Sequence, residues 1–196
     1  MNNTMRLFIG IDIGVANVYA FDDGTIIGHG MDNVEDNATV AALYVASICG
    51  SKRPIVVLER LHTKNMGEYT KHMKDAMVYI TAALELLGIK YIGVPSFDTS
   101  RTCSKCGSVN TSSRDGRNFL CVNCGFECDA DVNAAKNIKK RGKKNRRLIN
   151  QKPGYKKKSK KHSKKKRSHV AKHIAKANSF EKARSGGRMN GRRGDR

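Results

Sequence analysis

Tryptophan is absent from this chain, only three residues are proline, and aromatic side chains make up 6%. So thin an aromatic complement argues against a broad surface that binds polymers by stacking rings on their bases. No unbroken apolar run approaches the ~20 residues that a bilayer-spanning helix needs. Residues Met1 to Arg6 lack the basic, apolar and small-residue order of a secretory leader. The expectation is no membrane partner and a cytoplasmic, nucleoid-associated location. In such a reducing compartment the six cysteines read as metal ligands and not as disulfides. Acids are also scarce, 17 against 38 lysines and arginines, which gives a formal net charge of +21.

That charge is unevenly placed. Residues 139–196 carry 25 of the 38 bases and only Glu181 and Asp195 as acids, a net +23, whereas residues 1–138 sum to −2. A near-neutral globular unit over 1–140 therefore precedes a basic tail over 141–196. Lys, Arg, Ser, Gly and Asn dominate the tail, so it is expected to be largely disordered without a partner. A field of that sign attracts a polyanion, and nucleic acid, DNA foremost, is the expected partner.

Leu7 to Asp12, Val15 to Phe21 and Thr25 to Gly30 read as three antiparallel strands, with Asp22-Asp23-Gly24 as the hairpin turn. Asn37 to Cys49 has helical spacing, with Asn37 as its cap and Gly50 as its stop. Ile55 to Leu58 is unbroken and apolar, as suits a central strand covered on both faces. Tyr69 to Leu87 reads as a second helix, Lys90 to Val94 as a fifth strand, and Asp129 to Lys140 as a final helix. The order β-β-β-α-β-α-β-α predicts an α/β, RNase H-like mixed five-stranded sheet with helices on both faces. Residues 98–128, rich in turn formers, are an insertion before the last helix.

Three acids punctuate these elements. Asp12 follows Ile9-Gly10-Ile11, Glu59 follows Ile55-Val56-Val57-Leu58, and Asp131 opens the last helix. A lone carboxylate buried at the end of an apolar strand costs several kcal/mol unless a cation neutralises it. Three that converge form a site for hard divalent ions, Mg²⁺ or Mn²⁺, expected as a pair. Such a pair clamps a phosphodiester for hydrolysis, so Asp12, Glu59 and Asp131 are the expected catalytic and magnesium-binding residues. Gly10 and Gly14 are expected to leave room for the phosphate. Asn133 and Asn137 are expected to support the acids by donating to them. Asp129, two residues before Asp131, is a less suitable ligand because that step turns a helical side chain away.

Cys103-x-x-Cys106 and Cys121-x-x-Cys124 are each followed by glycine. Matched pairs of this spacing form a zinc ribbon, whose four thiolates close a tetrahedral, structural Zn²⁺ site. Arg101, Lys105, Arg114 and Arg117 lie on the ribbon and are expected to contact nucleic-acid phosphates near the cut.

Taken together these motifs resemble the nuclease half of the TnpB (OrfB) proteins of insertion sequences, which are similar to compact type V CRISPR effectors. The matching stretches are Gly10 to Gly14, Val57 to Leu61, Pro95 to Gly107, Cys121 to Gly125 and Asp129 to Ile138. The resemblance implies a RuvC-like, divalent-metal-dependent nuclease domain with an inserted zinc ribbon, and by motif match it makes Asp12, Glu59 and Asp131 the catalytic acids. The family's N-terminal guide-holding region precedes the first motif. Here that motif begins at residue 7, so the region is expected to be missing and RNA-guided targeting is not carried over.

The expected function is a metal-dependent endonuclease that chooses its substrate by shape, since no readout helix is visible. The alternative is a non-catalytic nucleic-acid-binding protein that uses the tail and ribbon alone.

Overall fold

The computed structural model describes residues 6–30, 33–50, 52–61 and 69–145, with Ser168, Ala171, Lys172, Ile174, Ala175 and Ser179. In chain order it forms β1 (Leu7–Ile13), β2 (Asn17–Phe21), β3 (Ile26–His29), α1 (Val34–Cys49), β4 (Pro54–Glu59), α2 (Tyr69–Leu86) and β5 (Lys90–Val94). The inserted ribbon adds β6 (Arg114–Asp115), β7 (Asn118–Leu120) and β8 (Glu127–Asp129), and α3 (Ala130–Lys144) follows.

The main sheet has the order β3-β2-β1-β4-β5. β1 pairs antiparallel with β2 and parallel with β4, β2 pairs antiparallel with β3, and β4 pairs parallel with β5. This is the RNase H-like mixed sheet. Side chains alternate across it. Ile9, Ile11, Ile13, Val56 and Leu58 share one apolar cluster with residues of α1 and α2, such as Val45 and Ile80. Phe8, Ile55 and Val57 point the other way and share a second cluster with Ile138 of α3. The helices thus cover both faces. Burying a residue such as Ile11 or Leu58, each fully enclosed, contributes roughly 1.5–3 kcal/mol.

α3 lies unusually close to the sheet because two positions have no side chain. A Cβ on Gly10 would sit 2.1 Å from the Ala135 carbonyl oxygen, and one on Gly142 would sit 2.4 Å from a Val57 methyl. Gly10 therefore serves helix-on-strand packing and not clearance for a phosphate, because the helix already fills the space. Gly14 does border the site: its Cβ would lie 3.5 Å from Asp131 Oδ2.

α1 begins one turn earlier than its expected cap at Asn37. Glu35 and Asp36 occupy its first turn, where carboxylates favour the positive end of the helix dipole. Asn33 precedes the helix at φ 52° and makes no side-chain cap bond, while the Asn37 N–H donates to the Asn33 carbonyl. α3 also runs past the expected boundary at residue 140, to Lys144. Most of the tail lies outside the described residues. Those described between 168 and 179 are helical, and Ile174 is buried in the α1–α2 cluster. Among the described residues no helix is long and apolar enough to cross a membrane.

Candidate active site and metal centre

The register brings the first two acids together. Ile11 of β1 pairs with Leu58 of β4, so the next residues, Asp12 and Glu59, leave the sheet side by side. By alternation both project toward the α3 face. Asp131 arrives there from the first turn of α3. A cleft of about 420 Å³ is lined by Asp12, Glu59 and Asp131, together with Ser96, Thr99 and Arg114.

The electrostatics of this cleft are unbalanced. Burial pushes Asp12 well above the usual carboxylate range, the charges of Glu59 and Asp131 push it further, and Arg114 opposes them. Burial also raises Glu59, against the Thr99 hydroxyl and the charge of Arg141. Asp131 is raised by burial and held back by Arg114. Three carboxylates that resist ionisation, facing one open space, match the chemistry of a divalent-cation site with oxygen ligands.

Two of the three acids have side-chain support. Thr99 Oγ1 donates to Glu59 Oε1. Asn17 Nδ2 donates to Asp131 Oδ2 at 3.0 Å, and Arg114 donates to Asp131 Oδ1 at 3.2 Å. Asp129 takes a different part. It caps α3, its Oδ1 accepting from the N–H groups of Asp131 and Val132 at 2.8 and 3.2 Å. The spacing Asp-x-Asp thus divides two tasks: one carboxylate holds the helix start and the other faces the cleft.

Asn133 and Asn137 do not support the acids. Asn133 accepts from the Ser104 N–H at 2.9 Å and donates to the Thr102 carbonyl at 2.8 Å. Asn137 donates to the carbonyls of Thr99 and Thr102 at 2.9 and 2.6 Å. Both point from α3 toward the chain entering the ribbon and fasten it there. The residue that reaches Asp131 is Asn17, buried on β2. Nothing in the sequence marked it, because an Asn in a strand carries no local signature of a partner more than a hundred positions away.

Of the four ribbon cations, two are engaged with the site. Arg114 lines the cleft. Arg117 donates to Asn17 Oδ1 at 2.9 Å and lies 3.7 Å from Asp129 Oδ2. Arg101 pairs with Asp98 outside the cleft, and Lys105 is exposed between two cysteines.

The cysteines form the second centre. The Sγ atoms of Cys103, Cys106, Cys121 and Cys124 lie within 4.8 Å of one another. Among the described residues these four side chains form the one set of three or more potential ligands brought that close, and the carboxylates of the cleft are not so gathered. Gly107 and Gly125 take φ of 82° and 66°, and their N–H groups turn back to the carbonyls of Cys103 and Cys121 at 2.9 Å. That is the knuckle turn, which favours glycine. The Ser108 N–H and the Asn123 amide pull Cys106 down to about 6. The Phe126 N–H acts in the same sense on Cys124, yet burial and hydrogen bonds from the other thiols raise it to about 12. Four thiols gathered this closely suit a soft metal ion that replaces their protons. Cys49 and Cys128 stand apart from the set: Cys49 is buried at the end of α1, and Cys128 packs beside Phe119 in the small ribbon core.

Known proteins share this stretch. Residues 76–138 match the Cas12f1-like TNB domain family. The "CRISPR-associated endodeoxyribonuclease Cas12f1" of Sulfoacidibacillus thermotolerans is 46% identical over 65 residues, which are 33% of this chain and 15% of that protein. A "TnpB-like protein" of Acanthamoeba polyphaga mimivirus is 27% identical over 119 residues, 57% of this chain and 21% of that one. The chain thus spans about a fifth or less of the length of these relatives. A solved Cas12f1–sgRNA–target DNA complex superposes with a TM-score of 0.48 at 20% identity, covering 67% of this chain and 49% of that one.

Proposed function

We propose that this chain, a TnpB-family relative carrying a Cas12f1-like TNB segment on a RuvC-like fold, is a divalent-metal-dependent endonuclease. The observation that carries this is the cleft lined at once by Asp12, Glu59 and Asp131. These three would hold Mg²⁺ or Mn²⁺, two ions in number. Ions so held supply a polarised water, screening of the phosphate charge and stabilisation of the leaving oxygen.

The protein's own groups do the positioning. Asn17 fixes the rotamer of Asp131, and Thr99 fixes that of Glu59. Arg114, on the exposed edge of the ribbon and in the lining of the cleft, would meet a phosphate at its mouth. The four cysteines would hold one structural Zn²⁺, which takes the place of a core that so short and polar an insertion cannot build. The basic residues after α3 would hold the nucleic acid without reading its sequence.

The test is cleavage of a panel of single-stranded, duplex, branched and hybrid substrates with Mg²⁺ or Mn²⁺. Wild-type protein is expected to cut at least one, and Asp12→Asn to bind it without cutting. Binding of every substrate with no metal-dependent cleavage would leave a non-catalytic nucleic-acid-binding protein.

A further inference from the structure

Phe97 is the most exposed large apolar residue among those described, at 72% of its surface. Its setting is specific. It lies between Ser96 and Thr99, both of which line the catalytic cleft. The loop that presents it is pinned on both sides. Asp98 adopts φ 57°, unusual for a residue with a side chain, and the Asp98 carbonyl accepts from both the N–H and the hydroxyl of Thr102. Thr99 is tied to Glu59 and to the Ser96 carbonyl.

Arg141 of α3 lies over the Phe97 ring, 5.0 Å from its centroid. The same guanidinium donates to the Pro95 carbonyl at 2.7 Å, so it is held in place. Ser96, next to Phe97, lines the cleft, which sets the pair beside it. Lys143 and Lys144 extend the cationic turn of α3. An aromatic ring backed by a guanidinium, open on its remaining surface and edged by positive charge, is complementary to a flat ligand on an anionic chain.

We propose that Phe97 and Arg141 form a stacking platform for one unpaired nucleobase next to the cleft. The strand presented for cutting is then single-stranded at that position. The inference deepens the nuclease reading and rests on it for the identity of the strand. Binding itself is read without cleavage. A duplex keeps its bases inside its own stack and cannot use the platform, so the pair selects strand state and not sequence.

The experiment measures equilibrium binding of full-length, zinc-loaded protein without added Mg²⁺. The probes are a single-stranded DNA, the same sequence as RNA, and the matching DNA duplex, with 2-aminopurine placed along the single-stranded DNA. Phe97→Ala is expected to weaken single-strand binding about tenfold on at least one polymer and to leave duplex binding unchanged. It should also abolish 2-aminopurine quenching at one position. Phe97→Trp should preserve both. The proposal is overturned if Phe97→Ala binds both single strands as wild type does, or loses single strand and duplex equally. A protein that cuts normally but fails this test retains the nuclease function and loses only the platform. One that passes but never cuts loses only the nuclease reading.

Discussion

Asn17 Nδ2 lies 3.0 Å from Asp131 Oδ2, joining β2 to the first turn of α3 across 114 positions of sequence. The amide is fully buried, and its other side accepts from Arg117. It therefore links the sheet, the ribbon and the third acid. Asn17→Ala is expected to cost about 1–3 kcal/mol of stability, as for a buried polar group left without its partner. It is also expected to weaken Mn²⁺ affinity 10–100-fold, as loss of a residue that orients a metal ligand does. Urea denaturation and calorimetric titration read the two effects. Full Mn²⁺ affinity in the variant would refute the positioning role.

The raised carboxylates have a stability signature. Asp12, Glu59 and Asp131 each hold a proton more tightly in the folded protein than their ordinary values near 4 imply. The folded state therefore binds more protons than the unfolded one above that range. Stability from these groups is present at low pH and lost as pH rises through the folded values. Asp12→Asn removes the most affected member. Without added divalent ions the variant is expected to be more stable than wild type at neutral pH, with the difference shrinking toward pH 4. Added Mg²⁺ should narrow the neutral-pH gap by stabilising wild type alone. Denaturation curves across pH decide it, and a variant less stable than wild type at pH 7.5 contradicts the electrostatic account.

Gly10 offers a packing test away from the chemistry. A methyl there would overlap the Ala135 carbonyl at 2.1 Å and the Lys139 Cβ at 2.8 Å. Both neighbours lie on a helix held along its length, so relief requires α3 to move outward. Gly10→Ala is expected to destabilise by about 1–3 kcal/mol or somewhat more, and to lower cleavage because Asp131 rides on that helix. Thermal denaturation with paired cleavage rates measures this. A neutral substitution would show that the close approach of α3 is not required.

Cys106→Ser should reduce bound zinc from one equivalent to none, as measured by elemental analysis. The effect should reach the cleft, because Arg114 belongs to the ribbon and Asn133 and Asn137 tie its incoming chain to α3. A variant that retains a full equivalent of zinc would rule out the four-cysteine site.

Replacing the lysines between 156 and 166 with glutamine should flatten the salt dependence of nucleic-acid binding and weaken it at low salt. The change leaves α3 and Ile174 intact. An unchanged salt slope would remove the tail from the binding account.

The architecture was legible where hydrophobic period alone decides it. The unbroken run Ile55 to Leu58 marks a strand covered on two faces, and the two Cys-x-x-Cys-Gly pairs mark a knuckle fold whatever surrounds them. What remained hidden depends on partners distant along the chain. Asn17 looks like any strand residue until β2 is laid beside α3. Asn133 and Asn137 sit near Asp131 in sequence, yet the helix turns them toward the ribbon. Gly10 invited a ligand explanation because the helix that fills its space lies far downstream. Asn37 is a good capping residue in isolation, but Glu35 and Asp36 extend the helix beyond it.

The ribbon sits between the strand that precedes it and the helix that delivers Asp131, so the order of synthesis matters. A ribosome releases Asp12 and Glu59 well before the two cysteine knuckles, and Asp131 only afterwards. A chain stalled or truncated at that stage would hold Asp12 and Glu59 in the sheet but lack the helix start that brings Asp131 to them.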